Sequence, residues 1–401
     1  MHISIIGGGI IGLFSAYYLQ QEGYDITLFD KESDVLSASY GNAGMICPSH
    51  FIPLAAPGII QQGFKWMLDS KSPLLFRPSF DLDFIQWCLS FYQHASKRNV
   101  INHIGLMNGL LNYSKKLYLS VELQGVIPPL DKHGILMFCN TQHALDEEIE
   151  LSHKAARLGI ETKTLSNDDI QSVNPGVRMI GMGAVHYTGD ITTDPIYLMN
   201  ELKNYLFNRK VKLVSEEVTG FIKAKNSITR IKTNENEIPT DAVLVCTGAE
   251  STPLTTLLGE KILIQSGKGY NITIENKEPS LRTAMILVES RVALTPMGTK
   301  LRIGGTMEIG NLKNKVNQSR IEGVLSSTEK YLPEYKRNEL SQYKPWYGSR
   351  PLSVDGMPVV KKINNCENAF INAGHGMLGL SLAPACGELI TQIISNTLSA
   401  G

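Results

Sequence analysis

The chain opens with HISIIGGGIIGLFSAYYLQQEGYDITLFDKE over residues 2–32, and this stretch restricts the fold more than any other. Ile3 to Ile6 form a short apolar run that reads as a strand. From Ile10 onward, small and apolar residues recur at helical spacing until Gly23 stops them. YDITLFD then makes a second strand that finishes in Asp30. Between first strand and helix, Gly7, Gly9 and Gly12 occupy the G-x-G-x-x-G positions. The first makes a tight turn, the second lets the backbone approach a pyrophosphate, and the third lets helix and strand pack closely. The helix start, with Ile10 and Ile11 in its first turn, offers unpaired N–H groups to the phosphates. Asp30 stands about twenty residues on, where a carboxylate accepts the hydroxyls of an adenosine ribose, and Lys31 follows it. An α/β chain is expected, beginning with a Rossmann-like dinucleotide-binding domain.

This motif does not separate NAD from FAD, because both present an adenosine diphosphate to the same turn. Two later segments bear on the choice. TDAVLVCTGAES, residues 240–251, is a buried strand running into a turn at Thr247 and Gly248. It follows VKLVSEEVTGFIKAKNSITRIKT, short alternating segments that read as a β-meander. NAFINAGHGMLGLSLAPACGELITQII, residues 368–394, is again strand, glycine-rich turn and helix, with Gly374, His375, Gly376, Met377, Leu378 and Gly379 in the turn. A second helix N-terminus is surplus to a nicotinamide. A flavin gains negative charge near N1 and the C2 carbonyl on reduction, which a helix N-terminus stabilises by about 0.3 to 1 kcal/mol. The pattern favours FAD, with an NAD-dependent dehydrogenase as the lesser alternative.

At 401 residues the chain exceeds the usual single core, so two domains are expected. Its 38 basic and 38 acidic side chains balance, which leaves no net field to attract nucleic acid. Cys47, Cys88, Cys139, Cys246, Cys366 and Cys386 show no CxxC spacing and mostly sit in apolar runs, as reduced packed thiols do. No H-E-x-x-H, paired carboxylate or Cys–His signature calls for a metal, and none is expected. No basic leader precedes an apolar stretch, and no window of about eighteen uncharged apolar residues occurs. The expectation is a cytoplasmic protein, at most peripheral on the inner face of a membrane. Helices are expected at 142–158 and at 194–208, the second with Asp194 as cap and Pro195 at its first position. GILMFC reads as a strand, and ALTPMGTKLRIGGTM as a hairpin around Gly298.

Six blocks carry a resemblance: IIGGGIIGLFSAYYL, SYGNAGMICPSHFIPLAAPG, GKGYNITI, LRIGGTMEIG, WYGSRPLSVDGMPVV and NAGHGMLGLSLAPACGELI. In this order they resemble the FAD-dependent D-amino-acid dehydrogenases, within the group that includes glycine oxidase and sarcosine oxidase. The resemblance implies a discontinuous FAD-binding domain of glutathione-reductase type, residues 1–82, 144–262 and 342–401. Residues 83–143 and 263–341 would form a substrate domain on a mixed or antiparallel sheet. It implies that Ser39, Asn42, Ala43, Gly44 and Met45 line the pyrophosphate and ring. His50 stands where many of these dehydrogenases carry tyrosine, and it enters as a catalytic candidate. Arg350, in GSRP, offers a planar fork that matches a carboxylate with two parallel hydrogen bonds, and the glycine oxidase relatives use the arginine of their corresponding block so. Tyr270, in GKGY, would add a hydroxyl to that carboxylate or close the pocket. Met377 stands where glycine oxidase has an arginine, which argues against glycine as substrate. The implied reaction is hydride transfer from Cα of a D-amino acid to flavin N5, with the imino acid hydrolysed to a 2-oxo acid and ammonia. Electrons would pass to a quinone or similar acceptor. D-proline, hydroxy-D-proline and sarcosine are alternative substrates; the acceptor and the oligomeric state are not legible.

Overall fold

The first strand shows how the sequence sets the layers. In β1 (His2–Ile6), Ile3 and Ile5 enter one core while Ile6 enters another, because successive side chains leave opposite faces of a strand. The structure, a computed structural model, describes residues 1–31, 37–51, 73–276, 280–310, 312 and 315–399. The end of the second resemblance block, residues 52–58, lies outside them. β1 is central in a six-stranded sheet with β2 (Asp25–Phe29), β9 (Lys212–Val214), β13 (Ala242–Val245), β19 (Val359–Lys362) and β20 (Ala369–Ala373), in the order β19-β20-β13-β1-β2-β9. All pairings are parallel except β19 with β20.

On one face lies α1 (Ile10–Gln21), apolar nearly all round and therefore buried, with α6 (Pro195–Asn208) and α10 (Gly379–Ser399). Leu13 and Phe14 of α1 are fully buried with Ile3 and Ile5, each worth about 1.5 to 3 kcal/mol over exposure. The Cβ that Gly387 of α10 lacks would meet the backbone of Phe14, so that glycine lets the two helices touch. The other face carries the expected meander, β10 (Val218–Ala224), β11 (Ser227–Thr233) and β12 (Glu237–Pro239), over Val243, Val245 and Ile371.

A nine-stranded mixed sheet forms the second unit. Its path is β18 (Trp346–Leu352), β14 (Gln265–Glu275), β17 (Lys300–Gly310), β16 (Val292–Met297), β15 (Ala284–Leu287), β5 (Ile135–Cys139), β7 (Gly183–Tyr187) and β6 (Thr162–Ser166), while β4 (Leu74–Arg77) pairs β17. The hairpin at Gly298 forms as expected. The division of the chain needs correction at two places. Residues 162–187 and 346–352, assigned above to the FAD domain, join this sheet: β7 completes the hydrogen bonds of β5, and β18 pairs β14 over seven positions. A two-stranded link, β3 (Met45–Ile46) with β8 (Ile191–Thr192), joins the units.

Helices α2 (Leu82–His94), α3 (Lys97–Leu123), α4 (Gln142–Arg157), α5 (Asn167–Val173), α7 (Ser251–Leu257), α8 (Gln318–Tyr331) and α9 (Arg337–Leu340), with a 3-10 turn at Gly248–Glu250, complete the described elements. The caps follow local chemistry: Asp194 accepts from Ile196 N–H at 2.9 Å with Pro195 next, and Asp81 accepts from Phe84 N–H at 2.9 Å. Trp87 of α2 donates to the Leu352 carbonyl at 3.0 Å, which ties that helix to the end of β18.

Candidate active site

Four loops that are far apart in sequence meet because their strands are parallel. β1, β2, β13 and β20 end at one edge of the sheet, so Gly7 to Gly9, Asp30, Thr247 with Gly248, and Gly374 to Gly376 all emerge there. Gly7 has φ of 107°, and a Cβ on Gly12 would overlap its carbonyl oxygen, so helix and turn touch backbone to backbone. A Cβ on Gly8 would lie 2.6 Å from Asp30 Oδ2, which shows the carboxylate lying across the turn. Gly8, overlooked in the motif reading, is as necessary as its neighbours. Ile10 N–H donates to Ser39 Oγ at 3.0 Å, so Ser39 reaches the same helix start. Ile11 packs half-buried against the helix-side core. Lys31 turns outward and pairs with Glu250 at 2.6 Å and Glu217 at 3.5 Å.

The polar segment from Ser39 to Met45 is clamped from the large sheet. Arg302, 5% exposed, donates through Nη1 to the carbonyls of Tyr40 at 3.0 Å and Asn42 at 2.6 Å. Asn271 Nδ2 donates to the Gly41 carbonyl at 2.8 Å, and a Cβ on Gly41 would overlap the Trp346 ring. Asn42 Oδ1 accepts from Gly44 N–H at 2.8 Å, the Gly44 carbonyl accepts from Thr193 N–H at 2.8 Å, and Ala43 and Met45 pack on Ile135 and Ala284. Arg302, Asn271 and Trp346 escaped sequence reasoning because their partners lie more than two hundred residues away.

Arg350 sits where these parts converge. The strand that carries it is joined to the last glycine turn: Gly376 N–H donates to the Pro351 carbonyl at 2.7 Å, and Leu352 bridges His375. In the β14–β18 register Gly267 faces Arg350 and Gly269 faces Gly348, so these four share one face. A Cβ on Gly269 would overlap the guanidinium, so the first glycine of KGY leaves the arginine room to lie flat on β14. Its Nη1 donates to the Thr306 carbonyl at 3.0 Å. Among the described residues no carboxylate pairs with it. Burial alone pushes its pKa down to about 10, so it stays cationic at neutral pH.

Thr306 itself is strained, with φ of 60°, an unusual conformation for a β-branched residue. It marks a bulge: Tyr270 faces Gly305 and Lys268 faces Glu308, leaving two residues of β17 against one of β14. Beyond it β17 exchanges β16 for β4 as neighbour. Arg320, buried in α8, donates to Thr306 Oγ1 from the far side of the sheet.

The other candidates separate. Tyr270 is the residue after Gly269, so it leaves the opposite face, is 1% exposed, and donates to Glu308 Oε2 at 3.0 Å. Tyr270 and Arg350 are therefore not brought together. His50 is half-buried, its Nδ1 3.1 Å from Ser49 Oγ; burial, then the Arg291 charge, pushes its pKa down to about 4. His375 is buried, with its pKa pushed down to about 3 and neither ring nitrogen partnered among the described residues. A neutral imidazole orphaned at both nitrogens costs stability unless another polar group fills the place. Leu378 N–H closes the turn on the His375 carbonyl at 3.0 Å, and Met377 is 51% exposed beside it.

The fold and the site define a class: an α/β protein with a dinucleotide-binding parallel sheet and a second, mixed sheet, on which Arg350 has no carboxylate partner among the described residues. The backbone cradle at Gly7 to Gly12 and the orphaned His375 fit an FAD lying from one helix start to the other. The chain belongs to the FAD dependent oxidoreductase family DAO, whose model matches residues 2–393, and FAD is its cofactor. D-amino acid dehydrogenase 1 of Mesorhizobium japonicum is 27% identical over 407 residues, covering 99% of this chain and 96% of that protein. A protein of Bradyrhizobium diazoefficiens named D-amino-acid oxidase is 26% identical over 400 residues, covering 98% and 95%. Glycine oxidase from Bacillus cereus shares the fold with a TM-score of 0.76 at 18% identity, covering 98% and 97%.

Proposed function

We propose that this oxidoreductase removes hydride from Cα of a D-amino acid, and that the resulting imino acid is hydrolysed by water to a 2-oxo acid and ammonia. One observation carries the reading: Arg350 is a deep cation lacking a carboxylate partner among the described residues, beside the turns that receive the cofactor. A substrate carboxylate completes that pair with two charge-assisted hydrogen bonds. Bound FAD supplies the two-electron acceptor. The protein supplies position. Gly269 gives the guanidinium its bed, Thr306 fixes one of its nitrogens, and the remaining donors turn the amino acid so that Cα–H faces the cofactor. Tyr270, bound to Glu308 on the other face, has no part in this hold. Gly7, Gly9, Gly12 and Asp30 would hold the adenosine diphosphate, and Ser39 to Met45, Thr247, Gly248 and Gly374 to Gly379 the remainder.

Electrons leave in this reading to a quinone or similar acceptor. Leu82, Ile85, Leu89 and Tyr92 form an exposed apolar stripe along α2, which supports a peripheral membrane contact at that helix. Among the described residues no helix is long and apolar enough to cross a membrane. The test is anaerobic flavin bleaching by a panel of D- and L-amino acids, with dye and oxygen compared as acceptors. Arg350→Ala should keep its FAD and lose turnover by about 3 to 5 kcal/mol. Near-normal kcat/KM in that variant would overturn the assignment.

A further inference from the structure

The turn after β3 holds a half-buried polar chain, ending on the buried Asp190, that neither cofactor seating nor the carboxylate hold uses. His50 N–H donates to the Cys47 carbonyl at 3.1 Å, closing the turn. Within it, Ser49 N–H donates to Asp190 Oδ1 at 3.1 Å and its hydroxyl to Oδ2 at 2.5 Å. The same Oγ lies 3.1 Å from His50 Nδ1. Asp190 is 1% exposed and directly precedes β8, the partner of β3, so the carboxylate is fixed by the sheet behind it.

A serine hydroxyl has one hydrogen. When Ser49 gives it to Asp190, His50 Nδ1 must be the donor to Ser49, and Nε2 keeps its lone pair. When Asp190 is protonated the chain runs the other way and Nε2 carries the hydrogen. Either way the ring is uncharged and its Nε2 has no protein partner among the described residues.

The sheet places the segment that leads to this ring on the face that carries Arg350. Ala293 faces Gly304, Gly304 faces Asn271, and Asn271 faces Trp346, so they share the face on which Arg350 lies. Gly41 touches Trp346, and Met45 and Cys47 pack with Ala284 and Ala293, so the segment leading to His50 runs along that face. Gly305, next to the Thr306 that holds Arg350, is backed by the Arg291 carbonyl, and Arg291 is the charge that His50 feels. The side chains that line the sheet beside Met45 and Cys47, namely Met137, Ile286 and Ala293, are apolar.

We propose that Asp190, acting through Ser49, is a positioning residue that holds His50 with Nε2 open to the substrate, and that the site thereby selects an amino or imino acid bearing a side-chain hydroxyl. A hydroxyl both donates and accepts, so it complements either tautomer. The inference rests on the Arg350-anchored reading and names its substrate class.

The test compares paired substrates on the FAD-loaded enzyme: D-serine against D-alanine, and cis-4-hydroxy-D-proline against D-proline. In at least one pair kcat/KM should favour the hydroxylated member by about tenfold or more, because the unpaired Nε2 penalises its analogue. The preference should collapse toward one in His50→Phe, weaken in Asp190→Asn and Ser49→Ala, and return in Ser49→Thr, which restores the hydroxyl. A wild type without preference in both pairs, or a preference unchanged in His50→Phe, overturns the inference. If no amino acid bleaches the flavin, the amine-oxidation reading fails instead, so the two failures are distinguishable.

Discussion

Gly269→Ala tests the seat of Arg350 without altering the arginine. The added Cβ would overlap three guanidinium atoms. Gly269 is absent from the positive-φ positions, so alanine suits its backbone and should by itself change stability by less than about 1 kcal/mol. The guanidinium must give way. Restoring ordinary carbon contact requires a retreat of more than about 1 Å, which also breaks the 3.0 Å bond to the Thr306 carbonyl. A misplacement of that size costs about a hundredfold in rate, or about 2.7 kcal/mol. Stopped-flow flavin reduction should show that loss in kcat/KM, with much of it in KM because the carboxylate is held in ground and transition states alike. FAD content and Tm should match the wild type. The variant combined with Arg350→Ala should be no worse than Arg350→Ala alone, since both remove one interaction. Wild-type kcat/KM in Gly269→Ala, or multiplicative losses in the double variant, would refute the placement.

Arg302→Met keeps the buried stem but frees the carbonyls of Tyr40 and Asn42; apoprotein titration should show FAD binding weakened by about 2 to 3 kcal/mol. Gly12→Ala forces a Cβ onto the Gly7 carbonyl, so colourless protein with a Tm lowered by several degrees is expected on purification. Burial pushes the pKa of Asp190 up to about 7 from 3.8, although the Ser49 hydrogen bonds oppose it. With the folded value above the unfolded one, wild type must lose stability relative to Asp190→Asn as pH rises from about 4 to about 7. The ceiling is about 4 kcal/mol, and Tm measured for both proteins across that range should show the gap; a pH-independent gap would count against the buried carboxyl.

The glycine turn that opens the chain was legible because its geometry is local. Gly7, Gly9, Gly12 and Asp30 lie within one strand-turn-helix-strand unit, whose order and turn the spacing alone specifies. Asp194 with Pro195, the hairpin at Gly298 and the meander before β13 were readable for the same reason. Arg350 needed a resemblance, since an arginine in GSRP carries no local sign of its partner.

Only the tertiary structure decided the rest. It divided Gly269 from Tyr270, neighbours in sequence, between opposite faces of β14, and so gave one to the arginine and the other to Glu308. Strand pairing moved residues 162–187 and 346–352 into the large sheet, because a strand joins whichever edge its hydrogen bonds complete. It also set Arg302 and Asn271 on a loop more than two hundred residues away, and Asp190 on Ser49. Sequence spacing encodes contacts within a turn or a helix. Contacts across a sheet depend on register and pleat, which exist only once the strands have paired.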